Sequence, residues 1–327
     1  MGDPAGIGPE VVLKALARPE IYRLSRPIVI GDPSVMNRDA RLLGLDVSIE
    51  PTESVGHARF KPGRVEVVPL DDTDLSGLEY GRVHPRAGRA AVESVLAAIE
   101  LAVSGKLDAI VTAPLNKEAM QSAGFSYPGH TEILAEKTGA EDFSLMLVAK
   151  NLRVIHVTTH VSMRQALSLI EETRVLRYIR LAHRTMAMLG NASPRIAVAG
   201  LNCHAGEHGL FGDEDARDIE PAVRKARDEG IDASGPWPPD TVFYRANRGE
   251  FDIVVAMYHD QGHIAVKMLG LDAGVNMTAG LPIIRTSVDH GTAFDIAGRG
   301  IADEGSMVAA IQLAVDMSLR KGSGASV

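Results

Sequence analysis

One hexapeptide concentrates ligand and hydrogen-bonding atoms: Tyr258-His259-Asp260-Gln261-Gly262-His263, five such side chains around a single glycine. It follows the apolar run Ile253–Met257, the pattern of a strand buried on both faces. In open α/β sheets ligands gather outside the carboxyl ends of strands, so a polar cluster there is a site candidate. The plainer alternative is a loop that caps the next helix. Two other apolar runs end in a similar way. Arg153–Thr158 leads into Thr158-Thr159-His160, and Ile196–Leu201 leads into Asn202-Cys203-His204-Ala205-Gly206-Glu207. A lone histidine at a strand end is commonly a hydrogen-bonded loop residue. His160, His204 and His259 could nevertheless converge, because carboxyl ends of one sheet share a rim. Three imidazoles plus a carboxylate, Asp260 or Asp240, suit a borderline divalent ion, although spacing this wide is not a local metal motif.

Further polar residues suit an anionic substrate. Tyr127-Pro128-Gly129-His130-Thr131-Glu132 precedes a helix expected over Ile133–Lys137; capping accounts for Thr131 but leaves His130 unexplained. Lys267, Asn276 and Arg285 follow in the last informative stretch, Gly270–Gly300. Arginine offers paired donors to phosphate or carboxylate and lysine a point charge, while a solvated surface charge is the default for any one of them.

These residues must be positioned by alternating strands and helices. Pro27–Gly31, Arg64–Val68, Asp108–Ala113 and Leu145–Val148 read as strands. Val92, Val95, Leu96, Ile99, Ala102 and Val103 give Ala90–Val103 helical spacing, stopped by Gly105, and Met307–Leu319 reads as an amphipathic core helix. Residues 50–63 and 71–86 are loop-rich, and no repeat or low-complexity linker marks a domain boundary. The chain opens on the glycine-rich Gly2–Glu10, with Pro9 at a first helical position and the apolar face Val11, Val12, Ala15, Leu16. The loop lacks GxGxxG spacing and implies only a tight backbone turn. Such loops usually follow a strand, and only Met1 precedes this one, so either the first strand is missing or the assigned start is late.

Composition bounds the class. With 327 residues, 45% hydrophobic, and 32 glycines, the chain can build a large α/β core in two domains. A net charge of −8 argues against nucleic acid or an anionic membrane as partner, but not against a phosphorylated small molecule. The single cysteine, Cys203, rules out an intrachain disulfide and fits a reducing compartment. Without an apolar run of ~18 residues or a signal peptide, a soluble cytoplasmic protein is expected.

Eight motifs together resemble the 4-hydroxythreonine-4-phosphate dehydrogenase family over essentially the whole chain: GDPAGIGPE (2–10), TAPLNKEA (112–119), YPGHTE (127–132), TTH (158–160), LNCHAGE (201–207), PPDTVF (238–243), AMYHDQGH (256–263) and GLPIIRTSVDHGTAFDIAGRG (280–300). The first and last also resemble loops of isocitrate and isopropylmalate dehydrogenases. The resemblance implies that fold, two α/β/α domains with a cleft between them. Residues 1–125 plus 275–327 would carry the cofactor loop, and 126–274 the metal ligands and dimer interface. It implies one divalent ion (Zn, Mg, Mn or Co) on His160, His204 and His259. Substrate contacts would be His130, Thr131, Lys267, Asn276 and Arg285, and NAD or NADP would lie at His290, Gly291, Thr292, Ala293 and Asp295. A homodimer with the site at its interface is implied as well. Cys203 departs from the proline expected beside a metal ligand.

The implied chemistry is oxidation of a C3 hydroxyl, with Lys267 or Asp260 taking its proton, then decarboxylation of the 3-keto acid. YPGHTE, EHGLFG (207–212), PPDTVF and HDQGH look closer to the branch acting on 4-phospho-threonate or 4-phospho-erythronate, with dihydroxyacetone phosphate as product. In that branch C2 carries a hydroxyl, which His263 could bond; His263 facing solvent at a helix start is the alternative. The vitamin B6 branch, acting on 4-hydroxythreonine 4-phosphate, and a metal-dependent hydrolase remain the rival readings.

Overall fold

The computed structural model describes residues 1–70, 74–269 and 274–323, so parts of two stretches singled out above, 71–86 and 270–300, lie outside the described residues. The protein is mixed α/β and divides into two compact units. One comprises Met1–Glu141 and Leu281–Ser318; the other comprises Asp142–Gly280 joined by the last turn of the C-terminal helix.

In the first unit, β1 (Val29–Gly31), β3 (Arg64–Pro69) and β2 (Ser48–Pro51) form a parallel sheet in that order. β4 (Ala109–Thr112) pairs in parallel with β11 (Ile284–Val288). Val11, Leu13, Ile21, Met36, Val65, Val67 and Met307 fill one core. The opening glycine loop is buried, and a Cβ at Gly6 would sit 2.9 Å from the Thr292 carbonyl oxygen. Its glycines therefore serve close packing of backbone on backbone, not a phosphate cradle. Helix Pro85–Val103 starts five residues before its apolar periodicity does, because the His84 ring accepts from Arg86 N–H and Pro85 suits the first turn. β2 was not legible, since a short strand with exposed ends carries no apolar run.

In the second unit the strand order is β10 (Val275–Ala279), β5 (Ser144–Ala149), β6 (Leu152–His156), β9 (Ile253–Ala256), β7 (Ile196–Ala199), β8 (Ala233–Trp237). β5 runs antiparallel to both neighbours, whereas β6, β9, β7 and β8 are mutually parallel. Every residue of β7 and β9 is buried, which is why both read as unbroken apolar runs. β6, β9 and β7 are consecutive neighbours, so the chain leaves all three at one rim.

The division between units falls at 141/142 and 280/281, later than the 125/126 and 274/275 expected from sequence. His130 and Thr131 belong to the first unit because helix His130–Thr138 packs on helix Pro85–Val103. Asn276 belongs to the second because β10 pairs with β5 along its whole length.

Helix Pro85–Val103 crosses helix Lys117–Ser122 at Gly88, where an added Cβ would overlap the Ala119 carbonyl. Gly88→Ala should cost about 1–3 kcal/mol of stability as overpacking against backbone. Thermal melting reads this, and an unchanged midpoint would contradict the close crossing.

Candidate functional site

Three strand ends are tied by two side chains. Thr158, beyond β6, donates its hydroxyl to the Met257 carbonyl oxygen at 2.8 Å. Gln261 accepts from Met257 N–H at 2.7 Å and donates to the Gly200 carbonyl oxygen at 2.8 Å. The orientation of the Gln261 amide follows from these partners, since a carbonyl only accepts and an N–H only donates. Gln261 thus links the end of β9 to the end of β7, and Thr158 links β9 to β6. The hexapeptide is not a loop: Tyr258 is the N-cap and His259 opens helix His259–Lys267.

That helix carries two of a group of four imidazoles. The His160 and His259 rings are 5.7 Å apart between centroids. His263 stacks on His259 at 3.6 Å and donates through Nδ1 to the His259 carbonyl oxygen at 3.0 Å. His263 is only 7% exposed, so it does not face solvent. The His259 Nδ1–H donates to the Asp260 carboxylate at 2.6 Å. With Nδ1 so engaged, Nε2 is the ring nitrogen left for another partner, and a carboxylate behind an imidazole is the arrangement that orients metal-binding histidines.

The fourth ring, His156, ends β6 and lies 4.7 Å from His263. It is fully buried, and apart from the Leu145 backbone neither ring nitrogen has a hydrogen-bond partner among the described residues. It rests on Gly262, where any Cβ would overlap its Nε2. The glycine of the hexapeptide is thus needed for a ring packed beneath it. Burial, then the neighbouring imidazoles, push His156 down to about 3; burial and His259 push His263 down to about 4. Both rings are neutral near pH 7.

His204 stands apart. Its ring is 6.0 Å from Phe211, and among the described residues no group of three or more His, Cys, Asp or Glu is arranged to hold a metal. It opens a left-handed turn, with φ of 51°, 53°, 78°, 43° and 55° from His204 to His208. Left-handed helical backbone costs roughly 1–2 kcal/mol for each non-glycine residue, so four of these five are strained. Cys203 and Asp240 are both exposed. Lys267 is exposed on the last turn of its helix. Asp260 is also exposed and is engaged by His259, which suits holding that ring better than acting as a free base. Asn276 is half-buried in β10.

The first unit holds a second group. Arg285 on β11 is 3% exposed and donates to the Thr112 hydroxyl at 2.7 Å. Burial pulls its guanidinium down to about 10, opposed by Glu132. His130 opens helix His130–Thr138; burial, then the Arg285 charge, push its imidazole well below its ordinary value. With Thr131 in the same first turn, a guanidinium and a helix N-terminus stand where an anion is favoured. Lys117, beside Gly129, is a further cation that the sequence reading passed over although TAPLNKEA contains it.

In the same unit, the loop expected to carry nicotinamide is braced on the opening glycine loop through Ile7 N–H to the Thr292 carbonyl oxygen at 3.0 Å. Ala293 has φ 41°. His290 donates through Nδ1 to the Gly291 carbonyl oxygen, and its Nε2 is buried without a partner among the described residues. An orphaned acceptor there fits a hydroxyl or amide donor of a dinucleotide; Gly291 and Asp295 flank it.

The family model described as pyridoxal phosphate biosynthetic protein PdxA matches residues 23–314. D-threonate 4-phosphate dehydrogenase of Cupriavidus necator is 50% identical over 322 residues, 98% of this chain and 96% of the relative. 4-hydroxythreonine-4-phosphate dehydrogenase of Beijerinckia indica is 50% identical over 321 residues, covering 98% and 94%. The crystal structure of 4-hydroxythreonine-4-phosphate dehydrogenase from Klebsiella pneumoniae superposes with a TM-score of 0.90 at 46% identity, covering 97% of this chain and 98% of the other.

Truncating Gln261 to alanine strands Met257 N–H and the Gly200 carbonyl oxygen. Each buried group left unpaired costs about 1–3 kcal/mol, so the melting temperature should fall. Gln261→Glu keeps the acceptor but opposes a carboxylate to the Gly200 carbonyl, so it should fall as well despite its shape. A wild-type melting temperature in both variants would show that the strut bears no load.

Proposed function

We propose a substrate and site assignment for this chain, which belongs to the PdxA family and is a dehydrogenase. It oxidises the C3 hydroxyl of a 4-phosphorylated hydroxy acid, 4-phospho-threonate or 4-phospho-erythronate, with NAD or NADP. The 3-keto acid then loses carbon dioxide to leave dihydroxyacetone phosphate. The observation that carries this reading is the His160–His259 pair, 5.7 Å apart, with Asp260 fixing the tautomer of His259. Relatives named for D-threonate 4-phosphate support the substrate class.

His160 and His259 would hold one divalent ion (Zn, Mg, Mn or Co), with His204, which stands apart from them within one chain, as third ligand once the dimer interface completes the site; the ion would supply Lewis acidity. NAD or NADP at His290–Asp295 would supply the hydride acceptor. Arg285, His130 and Thr131 bind the anionic ends of the substrate, because guanidinium donors and free helix N–H groups both favour phosphate and carboxylate. Lys267 takes the C3 hydroxyl proton, since Asp260 is already committed to His259. Asn276 donates to or accepts from the substrate's polar groups. His263, its Nδ1 spent on the His259 carbonyl, keeps Nε2 as an acceptor suited to a C2 hydroxyl.

The working form is a cytoplasmic homodimer whose interface completes the site. Support comes from large exposed apolar side chains on the unit that carries the imidazoles: Leu210, Phe211, Ile264 and Met268. No helix among the described residues is long and apolar enough to cross a membrane.

Steady-state kinetics with metal-loaded enzyme tests the substrate. Losing one buried substrate hydrogen bond typically changes discrimination by about 10-fold or more. The kcat/KM for 4-phospho-threonate or 4-phospho-erythronate should therefore exceed that for 4-hydroxythreonine 4-phosphate by that margin, and His263→Leu should narrow the gap. Equal or reversed ratios would return the chain to vitamin B6 synthesis.

A further inference from the structure

The left-handed turn that carries His204 has a buried carboxylate behind it which plays no part in the chemistry above. Asp215 is 2% exposed. Its Oδ1 accepts from Leu201 N–H at 2.7 Å and its Oδ2 from Asn202 N–H at 3.0 Å. The fit is close: a Cβ at Gly200 would lie 2.8 Å from Asp215 Oδ1 and 2.9 Å from Ala205. Next to it, Asn202 donates its side-chain amide to Glu214 at 2.8 Å. These bonds grip the two residues just before Cys203 and the run of six positive φ angles from His204 to Gly209.

Residues such as His204, Ala205, Glu207 and His208 do not choose left-handed backbone by themselves, so the surroundings must impose it. A carboxylate is suited to that task, because its two oxygens accept two successive N–H groups at once. An asparagine offers one oxygen and turns an NH2 toward the other N–H. A glutamate is one methylene longer in a space already closed by Gly200.

We propose that Asp215 is a positioning residue: it clamps the exit of β7, holds the left-handed turn, and thereby fixes where His204 stands. The second half of this statement rests on His204 being a metal ligand. Asp215 itself touches neither metal nor substrate.

The test uses the full-length protein in two arms. In the metal-free protein, hydrogen–deuterium exchange of peptides covering 200–209 should speed up by about 10-fold or more in Asp215→Ala and in the nearly isosteric Asp215→Asn, while peptides from β6 and β9 keep their rates. Asp215→Asn retains the side-chain volume and carries the test if the alanine variant does not fold. In the second arm, zinc affinity is measured by competition with a chromophoric chelator. Asp215→Asn should weaken binding by roughly 10–100-fold, as loss of a ligand's support does. Asp215→Asn combined with His204→Ala should bind no more weakly than His204→Ala alone, because both act through one ring.

Unchanged exchange over 200–209 in folded Asp215→Asn would overturn the clamp. Losses of zinc affinity that multiply in the double variant would overturn the link to His204. Zinc binding untouched by His204→Ala would sink the ligand reading instead, and the exchange arm would then judge the clamp alone.

Discussion

The side-chain amide of Gln261 is the contact on which the second unit's site depends. Parallel register sets β6, β9 and β7 side by side, but register alone ends where the strands end. Beyond that point the chain must leave in three directions, with backbone groups that still need partners. Gln261 meets two of those needs in one residue, Met257 N–H and the Gly200 carbonyl oxygen, and Thr158 meets a third at Met257. A residue in the first turn of the His259 helix therefore anchors the start of the His204 segment. The helix, the turn and the Thr158–His160 segment are fixed relative to one another before any ligand arrives, which is the preorganisation a metal or substrate site requires.

The imidazole stack adds a second constraint, one of charge. Burial disfavours the cationic form of the inner two rings, His156 and His263. Keeping them neutral leaves His259 free of cationic neighbours on that side. Asp260 meanwhile holds its Nδ1–H from the other. The cost is a fully buried, poorly satisfied His156, tolerated because Gly262 lets the ring lie directly on the helix backbone.

Much of this was legible in the sequence, for identifiable reasons. Strands buried on both faces leave unbroken apolar runs, so Ile253–Met257 and Ile196–Leu201 were visible with the polar residues beyond them. The shared rim followed from the alternation of strands and helices. The motifs supplied the family. His156 was hidden because a histidine inside a strand run reads as part of the strand; its partners come from a helix a hundred residues later. The left-handed turn was hidden because His, Ala and Glu have no preference for it, and only Asp215 and the glycines around it reveal why it forms. The bounds of the two units were only approximate in the sequence, because strand and helix alternate across them without a linker.

The central claim is that the rim gathers His160 and His259 into one divalent-ion site with Asp260 behind His259. Anomalous diffraction from crystals grown with cobalt or zinc tests it most directly. The account predicts a single ion per site bonded to Nε2 of His259 and to His160, with metal–nitrogen distances of about 2.0–2.1 Å and Asp260 still on Nδ1. An ion bound through Asp260 with His259 uncoordinated, or one that leaves out both rings, would contradict it.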